Sequence, residues 1–322
     1  MNAITKNWIS EEMISQMVSR ACKEPNPLKR IKALSGGFCS AVYLVETEQK
    51  MVLKVASDAQ VKVMRHEREY VPTEAQMLRT LHEKTTIPMP ELIYYDDSAE
   101  ICDVPYFFMS FLEGKPLSEC GDVNEEQREC IKGQMGDITR QICTLEAPVY
   151  GIPNIEESYC RRNSEFVYLL FDWLLLDAEE KQVEIPGITP KQLRELIKSC
   201  AEELDSAATP RYIHTDTWDG NIMVRDGKMT GLVDYAAVLY GDPLMSHDFH
   251  DFGDSPTPAF LRGYGKNRFS EEERLRILVY RIWQRLGMVV ERGYRGYEDP
   301  HMYEWVLGEF TKEVNRLRID RS

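Results

Sequence analysis

Ile213-His-Thr-Asp-Thr-Trp-Asp-Gly-Asn-Ile-Met-Val224 is the stretch from which the fold of this 322-residue chain can be inferred, together with the shorter run Gly231-Leu-Val-Asp-Tyr235. The first run has the spacing H-x-D-x-x-x-x-N, and the second places an aspartate directly after apolar residues. Phosphoryl transfer needs a carboxylate at the acceptor hydroxyl and oxygen ligands for magnesium, and catalysis then comes from positioning and charge neutralisation. The two runs together therefore predict a phosphoryl-transfer site.

Four side chains of these runs have predicted roles. Asp216 is the candidate catalytic residue, which orients or deprotonates the acceptor hydroxyl. Asn221 and Asp234 are the candidate Mg2+ ligands, because they offer an amide oxygen and a carboxylate. We expect His214 to pack beneath the loop and to anchor it through a backbone hydrogen bond.

A lysine in an apolar strand is the second candidate feature. Lys54 lies within Val52-Leu-Lys-Val55, where a charge needs a partner. Glu74 in the following helix is one candidate partner, and Glu67 is the other, because the break at Pro72 leaves the helical register open. A lysine held in this way can bind the α- and β-phosphates of a nucleotide.

Glycines before the first hairpin are a third, weaker feature. In Ser35-Gly36-Gly37 the backbone N–H groups of Gly36 and Gly37 could face phosphate. The chain contains no G-x-x-x-x-G-K-[ST], which excludes a P-loop kinase, and no G-x-G-x-x-G after a first strand, which argues against a Rossmann site.

Composition limits the other classes of function. The 53 acidic residues outnumber the 39 Lys and Arg, and the formal net charge of −14 argues against nucleic acid as a partner. With no long apolar run and no apolar signal core, we expect no membrane span and a cytoplasmic location. The eight cysteines form no C-x-x-C pair and are expected to be reduced thiols. No obligate protein partner is evident.

The pattern along the chain predicts a small lobe followed by a larger one. Periodicity predicts a leading helix at about 5–23, and then an order of β-β-β-α-β-β. The strands include 41–45, 51–55, 92–95 and 106–111, and the helical segment is 59–84. Leu112-Glu-Gly-Lys-Pro116 then reads as a linker.

The second half of the chain is mainly helical. The predicted helices cover about 124–145, 163–179, 188–206, 270–292 and 300–318. Between the third and the fourth, short strands and the turn Arg225-Asp-Gly-Lys228 carry the site. The predicted fold class is α+β and bilobal: an N-terminal lobe of mostly antiparallel sheet with a helix (1–113), and a larger, mainly helical C-terminal lobe (114–322).

With these motifs, the chain resembles the aminoglycoside phosphotransferase family, within the group that shares the protein-kinase-like fold with choline, homoserine and fructosamine kinases. The resemblance runs from about residue 30 to 255 and is most specific at Ile213–Asn221, Gly231–Asp234 and Gly241-Asp-Pro243 with Asp248. It implies Asp216 as catalytic base, ATP or GTP as donor, and Mg2+ as cofactor. It also implies that Lys54 and Glu74 are the phosphate-holding pair and that Asn221 and Asp234 are the metal ligands. The strand from Ser110 to Leu112 is implied to contact the adenine.

Departures from protein kinases narrow this interpretation. Tyr235-Ala236 replaces Phe-Gly after the second aspartate, Thr215 replaces an arginine, and no A-P-E follows. Without the arginine and a long loop, activation by loop phosphorylation has no mechanism, so we expect a constitutively competent small-molecule kinase. Asp242 and Asp248 are then expected to be structural.

The sequence does not identify the molecule that accepts the phosphate. After residue 245 the chain is rich in acids and aromatics, which could bind a cationic sugar such as an aminoglycoside, or cage a quaternary ammonium group. Alternatively, Trp283 and Trp305 belong to the helix core and the acids form a solvated face. A metabolite kinase for choline, homoserine or a sugar is the competing enzymatic hypothesis, and a catalytically silent nucleotide-binding relative is the non-enzymatic one.

Overall fold

A computed structural model of the protein divides into a small β-rich lobe and a larger, mainly helical lobe, as predicted. It describes residues 5–23, 27–34, 39–250, 256–296 and 300–321. The predicted phosphate-binding glycines Gly36 and Gly37 lie outside these ranges.

The small lobe is built on one five-stranded antiparallel sheet in the order β1-β2-β3-β5-β4. Its elements are α1 (Glu11–Cys22), β1 (Arg30–Ala33), β2 (Ala41–Glu46), β3 (Lys50–Val55), α2 (Tyr70–Lys84), β4 (Leu92–Asp96) and β5 (Tyr106–Ser110). The order β-β-β-α-β-β is therefore confirmed. The leading helix begins later than predicted, because Ser10 caps it by accepting a hydrogen bond from Met13 N.

Strand β3 is buried on both faces, and this positions Lys54. Successive side chains of a strand point to opposite faces. Leu53 and Val55 belong to a core cluster with α1, whereas Val52 belongs to the large cluster that includes α2 and continues into the second lobe. Lys54 shares a face with Val52, so its side chain is directed toward α2 and the boundary between the lobes.

The large lobe combines helices with two small antiparallel sheets, in the orders β11-β10-β6 and β8-β7-β12-β9. Its helices are α3 (Glu125–Thr144), α4 (Asn163–Glu180), α5 (Pro190–Lys198), α6 (Ala201–Asp205), α7 (Pro258–Tyr264), α8 (Glu271–Arg295) and α9 (Pro300–Asp320). Its strands are β6 (Lys115–Pro116), β7 (Tyr150–Ile152), β8 (Ile155–Cys160), β9 (Arg211–His214), β10 (Ile222–Arg225), β11 (Lys228–Leu232) and β12 (Val238–Gly241).

Three predictions about the elements need correction. The single helix expected over 188–206 is two helices, α5 and α6, separated at Ser199 and Cys200. The helical segment expected over 59–84 is helical as α2 only from Tyr70, preceded by a single 3₁₀ turn at Arg65–Glu67. Pro72 lies in the first turn of α2, where a missing N–H breaks no helical hydrogen bond. Strands β7, β8 and β12 and helix α7 were not predicted.

Two expectations from composition can be compared with the structure. None of the described helices has both the length and the apolar character that crossing a membrane requires. All eight cysteines are free thiols, as expected.

Candidate active site

The predicted catalytic loop connects β9 to β10, and it is tied at both ends to the segment that carries Asp234. Val233 N donates to Asn221 O at 3.0 Å, and Thr215 N donates to Ala237 O at 2.9 Å. The Thr215 hydroxyl donates to the same Ala237 carbonyl at 2.9 Å. Thr215, which occupies the place of the protein-kinase arginine, therefore fastens the two segments together.

Asn221 and Asp216 form a direct pair across this loop. Asn221 Nδ2 donates to the backbone carbonyl of Asp216 at 2.8 Å and to its Oδ2 at 3.0 Å. Burial raises the pKa of Asp216 to about 7, the negative charge of Asp234 adds to this, and the hydrogen bond from Asn221 opposes it. A carboxylate with a pKa near neutrality suits a group that accepts a proton at physiological pH.

Lys54 joins the two lobes. Its Nζ lies 2.5 Å from Glu74 Oε2 and 2.8 Å from Asp234 Oδ1. Glu74 is fully buried, and its Oε1 also accepts from Tyr235 N at 3.2 Å. Burial acts to lower the pKa of Lys54, but the two carboxylates outweigh it and raise the pKa above its ordinary value. Lys54 is therefore charged at physiological pH.

Asp234 has an unusual backbone conformation. Its φ of 65° lies in the left-handed region, which few non-glycine residues adopt, aspartate more readily than most. Burial would raise the pKa of its carboxyl group, but the Lys54 ammonium holds that pKa below the ordinary value. Asp234 is thus an ionised carboxylate in a constrained turn, as a metal ligand would require.

His214 anchors the loop. Its Nδ1 accepts a hydrogen bond from Asp216 N at 3.1 Å, and its ring lies 5.2 Å from the buried ring of Tyr235. Burial lowers the pKa of His214 to about 4, so the imidazole is neutral at physiological pH. This geometry agrees with the expected anchoring role.

The two candidate partners of Lys54 have separate positions. Glu74 contacts Lys54, whereas Glu67 lies at the 3₁₀ turn before α2 and contacts Arg295 of α8, with Oε1 2.7 Å from Arg295 Nη2. The sequence alone left this choice open. Arg295 was not singled out from the sequence, and its pairing with a residue 228 positions away leaves no local signal.

The predicted adenine-binding strand is β5 and the linker after it. Ser110 N donates to Glu91 O at 2.9 Å, and Ser110 Oγ accepts from Glu91 N at 2.9 Å. The Ser110 amide is therefore already used within the sheet.

Leu112 packs close to Gly231, where an added Cβ would lie 2.7 Å from Leu112 Cδ1 and from the Pro88 carbonyl oxygen. A larger residue at 231 would have to displace backbone.

Three further aspartates hold the surroundings of the site. Asp242 accepts from Arg276 Nε at 2.7 Å and from the Tyr280 hydroxyl at 2.8 Å. Asp248 accepts from Thr217 Oγ1 in the catalytic loop at 2.6 Å, and Asp219 binds Arg128 and Lys132 of α3 at 2.8 and 2.9 Å. Asp242 and Asp248 thus tie segments together. The i, i+4 spacing of the two α3 cations was the available signal for the contact with Asp219.

A cavity of about 450 Å³ lies between the 56–71 segment and the end of α4. Cys39, Tyr70 and Asp177 are among its lining residues. Burial is the main cause that raises the pKa values of Tyr70 and Cys39. The carboxylate of Asp216 contributes to the raised pKa of Tyr70, and that of Asp234 to the raised pKa of Cys39. The cavity is therefore close to the two aspartates.

The donor set fits Mg2+. Because Asn221 Nδ2 is directed at Asp216, its carbonyl oxygen points the other way, and Asp234 supplies an ionised carboxylate. Mg2+ is usually bound by one or two carboxylates, with nucleotide phosphates and water completing its six ligands. Among the residues that the structure describes, no group of three or more His, Cys, Asp or Glu is arranged to hold a metal.

A family model described as "Phosphotransferase enzyme family" matches residues 30–278. The chain belongs to the phosphotransferase enzyme family. The comparison with curated proteins found no match. The phosphotransferase is similar to solved structures along nearly its whole length, at sequence identities that support the fold alone.

One similar structure is a protein of Haemophilus somnus 129PT assigned as a fructosamine-3-kinase, with 16% identity, a TM-score of 0.69, and coverage of 94% of this chain and 96% of that chain. A second is the ternary complex of APH(2")-IIa with streptomycin and ATP, with 16% identity, a TM-score of 0.61, and coverage of 95% and 97%. A third is a thermostable mutant of the aminoglycoside phosphotransferase APH(4)-Ia with ADP and hygromycin B, with 14% identity, a TM-score of 0.63, and coverage of 94% and 98%. These similarities confirm the predicted bilobal, kinase-like fold of this phosphotransferase.

Proposed function

We propose that this phosphotransferase transfers the γ-phosphate of ATP or GTP to a hydroxyl group of a small molecule, with Mg2+ as cofactor. The observation that carries the proposal is the position of Lys54 Nζ, 2.5 Å from Glu74 and 2.8 Å from Asp234. This lysine joins the phosphate-binding position of the small lobe to the metal-binding position of the large lobe. Nothing in a purely structural role requires two buried charges and a partly buried one to meet at a lobe boundary.

The roles follow from this geometry. Lys54, held by Glu74, neutralises the nucleotide phosphates. The Asn221 carbonyl oxygen and the Asp234 carboxylate would hold Mg2+, which neutralises charge on the β- and γ-phosphates when bound. Asp216 faces the acceptor, and the Asn221 amide fixes its orientation. The Ser110–Leu112 strand, and Gly36 with Gly37, are the proposed contacts to the rest of the nucleotide.

The transfer step uses one proton acceptor. The acceptor oxygen forms a bond to the γ-phosphorus while the bond from that phosphorus to the β,γ-bridging oxygen breaks. The hydroxyl proton passes to the Asp216 carboxylate, and ADP or GDP leaves. With a pKa of about 7, Asp216 can accept this proton at physiological pH and release it to water afterwards.

The acceptor class is proposed from the similar solved structures. Two similar structures are complexes with the aminoglycosides streptomycin and hygromycin B, and a third protein is assigned as a fructosamine-3-kinase. We therefore propose an aminoglycoside-type or sugar-type hydroxyl acceptor, with choline or homoserine as the alternative. Two aromatic residues after residue 245, Tyr280 and Tyr294, are buried and donate to Asp242 and Asp177, so they are not available for a quaternary ammonium cage, which disfavours choline.

A division into two lobes accompanies the proposal. We place the nucleotide-binding lobe at 1–113 and the catalytic and acceptor-binding lobe at 114–322. Strand β6 supports this boundary, because Lys115 and Pro116 already pair with β10 of the large lobe. Since the donor is a nucleotide, we also propose the cytoplasm, which supplies it, as the location.

Acceptor-dependent release of ADP tests the proposal. The purified protein would be incubated with Mg2+, with ATP or GTP, and with a panel of aminoglycosides, macrolides, choline, homoserine and sugars. Phosphate transfer to at least one hydroxyl compound is expected, and Asp216→Ala should abolish it while nucleotide binding stays intact. No transfer to any compound, with nucleotide still bound, would favour the catalytically silent alternative.

A further inference from the structure

The 3₁₀ turn Arg65-His66-Glu67 contacts the large lobe through three consecutive side chains. Arg65 N donates to Asp177 Oδ2 at 3.1 Å, and the Arg65 guanidinium pairs with the same carboxylate. The ring of His66 lies 6.1 Å from that of Trp283. Glu67 contacts Arg295 at 2.7 Å. The turn that immediately precedes α2 is therefore fastened to both α4 and α8.

The Glu67–Arg295 pair is the most buried contact of the three. The Glu67 side chain is 1% exposed and that of Arg295 is 13% exposed. Arg295 also binds Glu291 one turn earlier in α8, with Nη1 2.7 Å from Oε2. Glu67 in turn accepts from Cys39 Sγ at 3.5 Å and from Met64 N at 3.3 Å. One carboxylate thus links the start of β2, the approach to α2, and the end of α8.

This pair is adjacent to the site without belonging to it. Glu67 is seven residues before Glu74, which lies in the second turn of α2 and holds Lys54. Arg295 is near enough to Asp216 to lower the pKa of that carboxyl group, and Asp234 is near enough to Cys39 to raise the pKa of its thiol. Glu67 thus precedes the helix that carries Glu74, and Arg295 lies within electrostatic range of Asp216.

We propose that Glu67 and Arg295 are positioning residues: their ion pair holds the beginning of α2 against α8, and so fixes Glu74 and Lys54 at the correct distance from Asp234 and Asp216. The inference rests on the proposed function, because one of its two tests measures the binding of MgATP. It also gives a physical reason for the expected competence without a phosphorylated activation loop, because the proposed contact that holds the helix carrying Glu74 does not depend on phosphorylation.

Removing both charges separates positioning from stability. A single change at a buried pair leaves an unmatched charge and destabilises the fold, whereas replacing both partners with uncharged residues is often neutral. The variant Glu67→Gln/Arg295→Met removes the most buried pair and leaves Glu291, with 15% of its side chain exposed, without its cation. It is therefore expected to melt closer to the wild type than Arg295→Met alone, while it no longer holds α2. We expect at least tenfold weaker binding of MgATP, measured by calorimetry, and at least tenfold faster amide exchange over residues 74–78 in the nucleotide-free protein.

Lys62→Ala, at the Lys62–Glu180 pair, is the matched control; Glu180 is kept because its Oε2 also lies 3.5 Å from Arg65 Nη2 in the turn itself. This pair also joins the 57–68 segment to the large lobe, with Nζ 2.6 Å from Oε1, but the lysine side chain is 69% exposed. Such surface pairs contribute little. Both its MgATP affinity and its exchange rates are expected to stay within twofold of the wild type.

The outcomes distinguish the hypotheses. Wild-type affinity and exchange in the Glu67/Arg295 double variant would overturn the positioning role, as would equal effects in the Lys62→Ala control. If the double variant does not fold, Arg295→Lys is measured instead. It keeps the charge but replaces two guanidinium nitrogens, each of which contacts one carboxylate, with a single ammonium on a shorter side chain. A weaker MgATP affinity and faster exchange of the same sign are therefore expected, and no change in either overturns the proposal. A wild-type protein that binds no MgATP would refute the proposed function, while amide exchange would still decide the role of the pair.

Discussion

Asn221 donates both hydrogens of its side-chain amide to Asp216, one to the backbone carbonyl at 2.8 Å and one to the carboxylate at 3.0 Å. The proposed Mg2+ ligand is thereby the residue that orients the candidate base. The spacing of five positions between them is what allows one side chain to close the loop in this way. The two roles are geometrically coupled.

The first prediction concerns Asp216 in catalysis. Asp216→Asn retains the size and one oxygen of the side chain but removes the proton acceptor, so we expect kcat to fall by about 10²- to 10⁴-fold. The nucleotide dissociation constant, measured by calorimetry, should stay unchanged. Asp219→Asn, three residues away and bound to Arg128 and Lys132, is the control. Equal losses of kcat in the two variants would show that the loop as a whole, and not Asp216, is required.

The second prediction concerns stability and pH. The pKa of Asp216 is about 7 in the folded protein against an ordinary value of 3.8, so the folded state binds more protons between these values. The contribution of this group to the free energy of unfolding therefore falls as pH rises through that window. Without Mg2+, Asp216→Asn should melt above the wild type at pH 8, and the difference should shrink toward pH 4. A constant difference across this range would contradict the assigned pKa.

The third prediction compares two lysines of β3. Lys54→Met leaves Glu74 buried without its cation, and we expect a loss of about 3–5 kcal/mol in the free energy of unfolding, together with loss of nucleotide binding. Lys50→Met removes a half-exposed pair with Glu113 at 3.3 Å, which should change stability by less than about 1 kcal/mol. Urea denaturation of both variants tests this. Similar midpoints for the two would mean that Lys54 is not held as the structure shows.

The fourth prediction concerns the contact between α3 and α7. A Cβ at Gly136 would lie 2.1 Å from the Phe260 carbonyl oxygen and 2.7 Å from Tyr264 N, both of them backbone atoms. Gly136→Ala should therefore destabilise the protein by about 1–3 kcal/mol or more. At Gly133, on the same helix, the nearest atom would be the Ala259 carbonyl oxygen at 3.7 Å. Gly133→Ala should be neutral or stabilising by up to about 1 kcal/mol, because alanine favours the helix. Equal melting temperatures of the two variants would refute the close packing of α3 against α7 at Gly136.

Much of the fold could be predicted from local signals. Alternating apolar residues with a polar turn predicted β2 and β3, and helical periodicity predicted α3, α4, α8 and α9 to within a few residues at most ends. Short strands were missed because they carry little periodic signal. Strand β7 is three residues long, and β8 buries only Ile155 and Ser158 of its six residues. The break between α5 and α6 has neither Gly nor Pro to mark it.

In the candidate site, too, contacts between residues close in sequence could be predicted, whereas contacts between distant residues could not. The order and spacing of His214, Asp216, Asn221 and Asp234 could be read directly, because all four lie on two adjacent segments whose geometry depends mainly on local backbone. The Asn221–Asp216 contact and the His214 anchor are hydrogen bonds over five and two residues, respectively. Local spacing is sufficient for contacts of this range.

By itself, then, the sequence determined the family of chemistry: the residues around Asp216 are enough to predict a phosphoryl-transfer site on a bilobal, kinase-like fold. Only the tertiary structure decided that Lys54 pairs with Glu74 and Asp234, and that Glu67 belongs to Arg295. The reason is physical. These ion pairs join residues 20, 180 and 228 positions apart. Their partners are chosen by how α2 packs on the sheet and how the turn before it packs on α8. No local pattern in a chain encodes which of two nearby glutamates a packed helix turns toward a buried lysine.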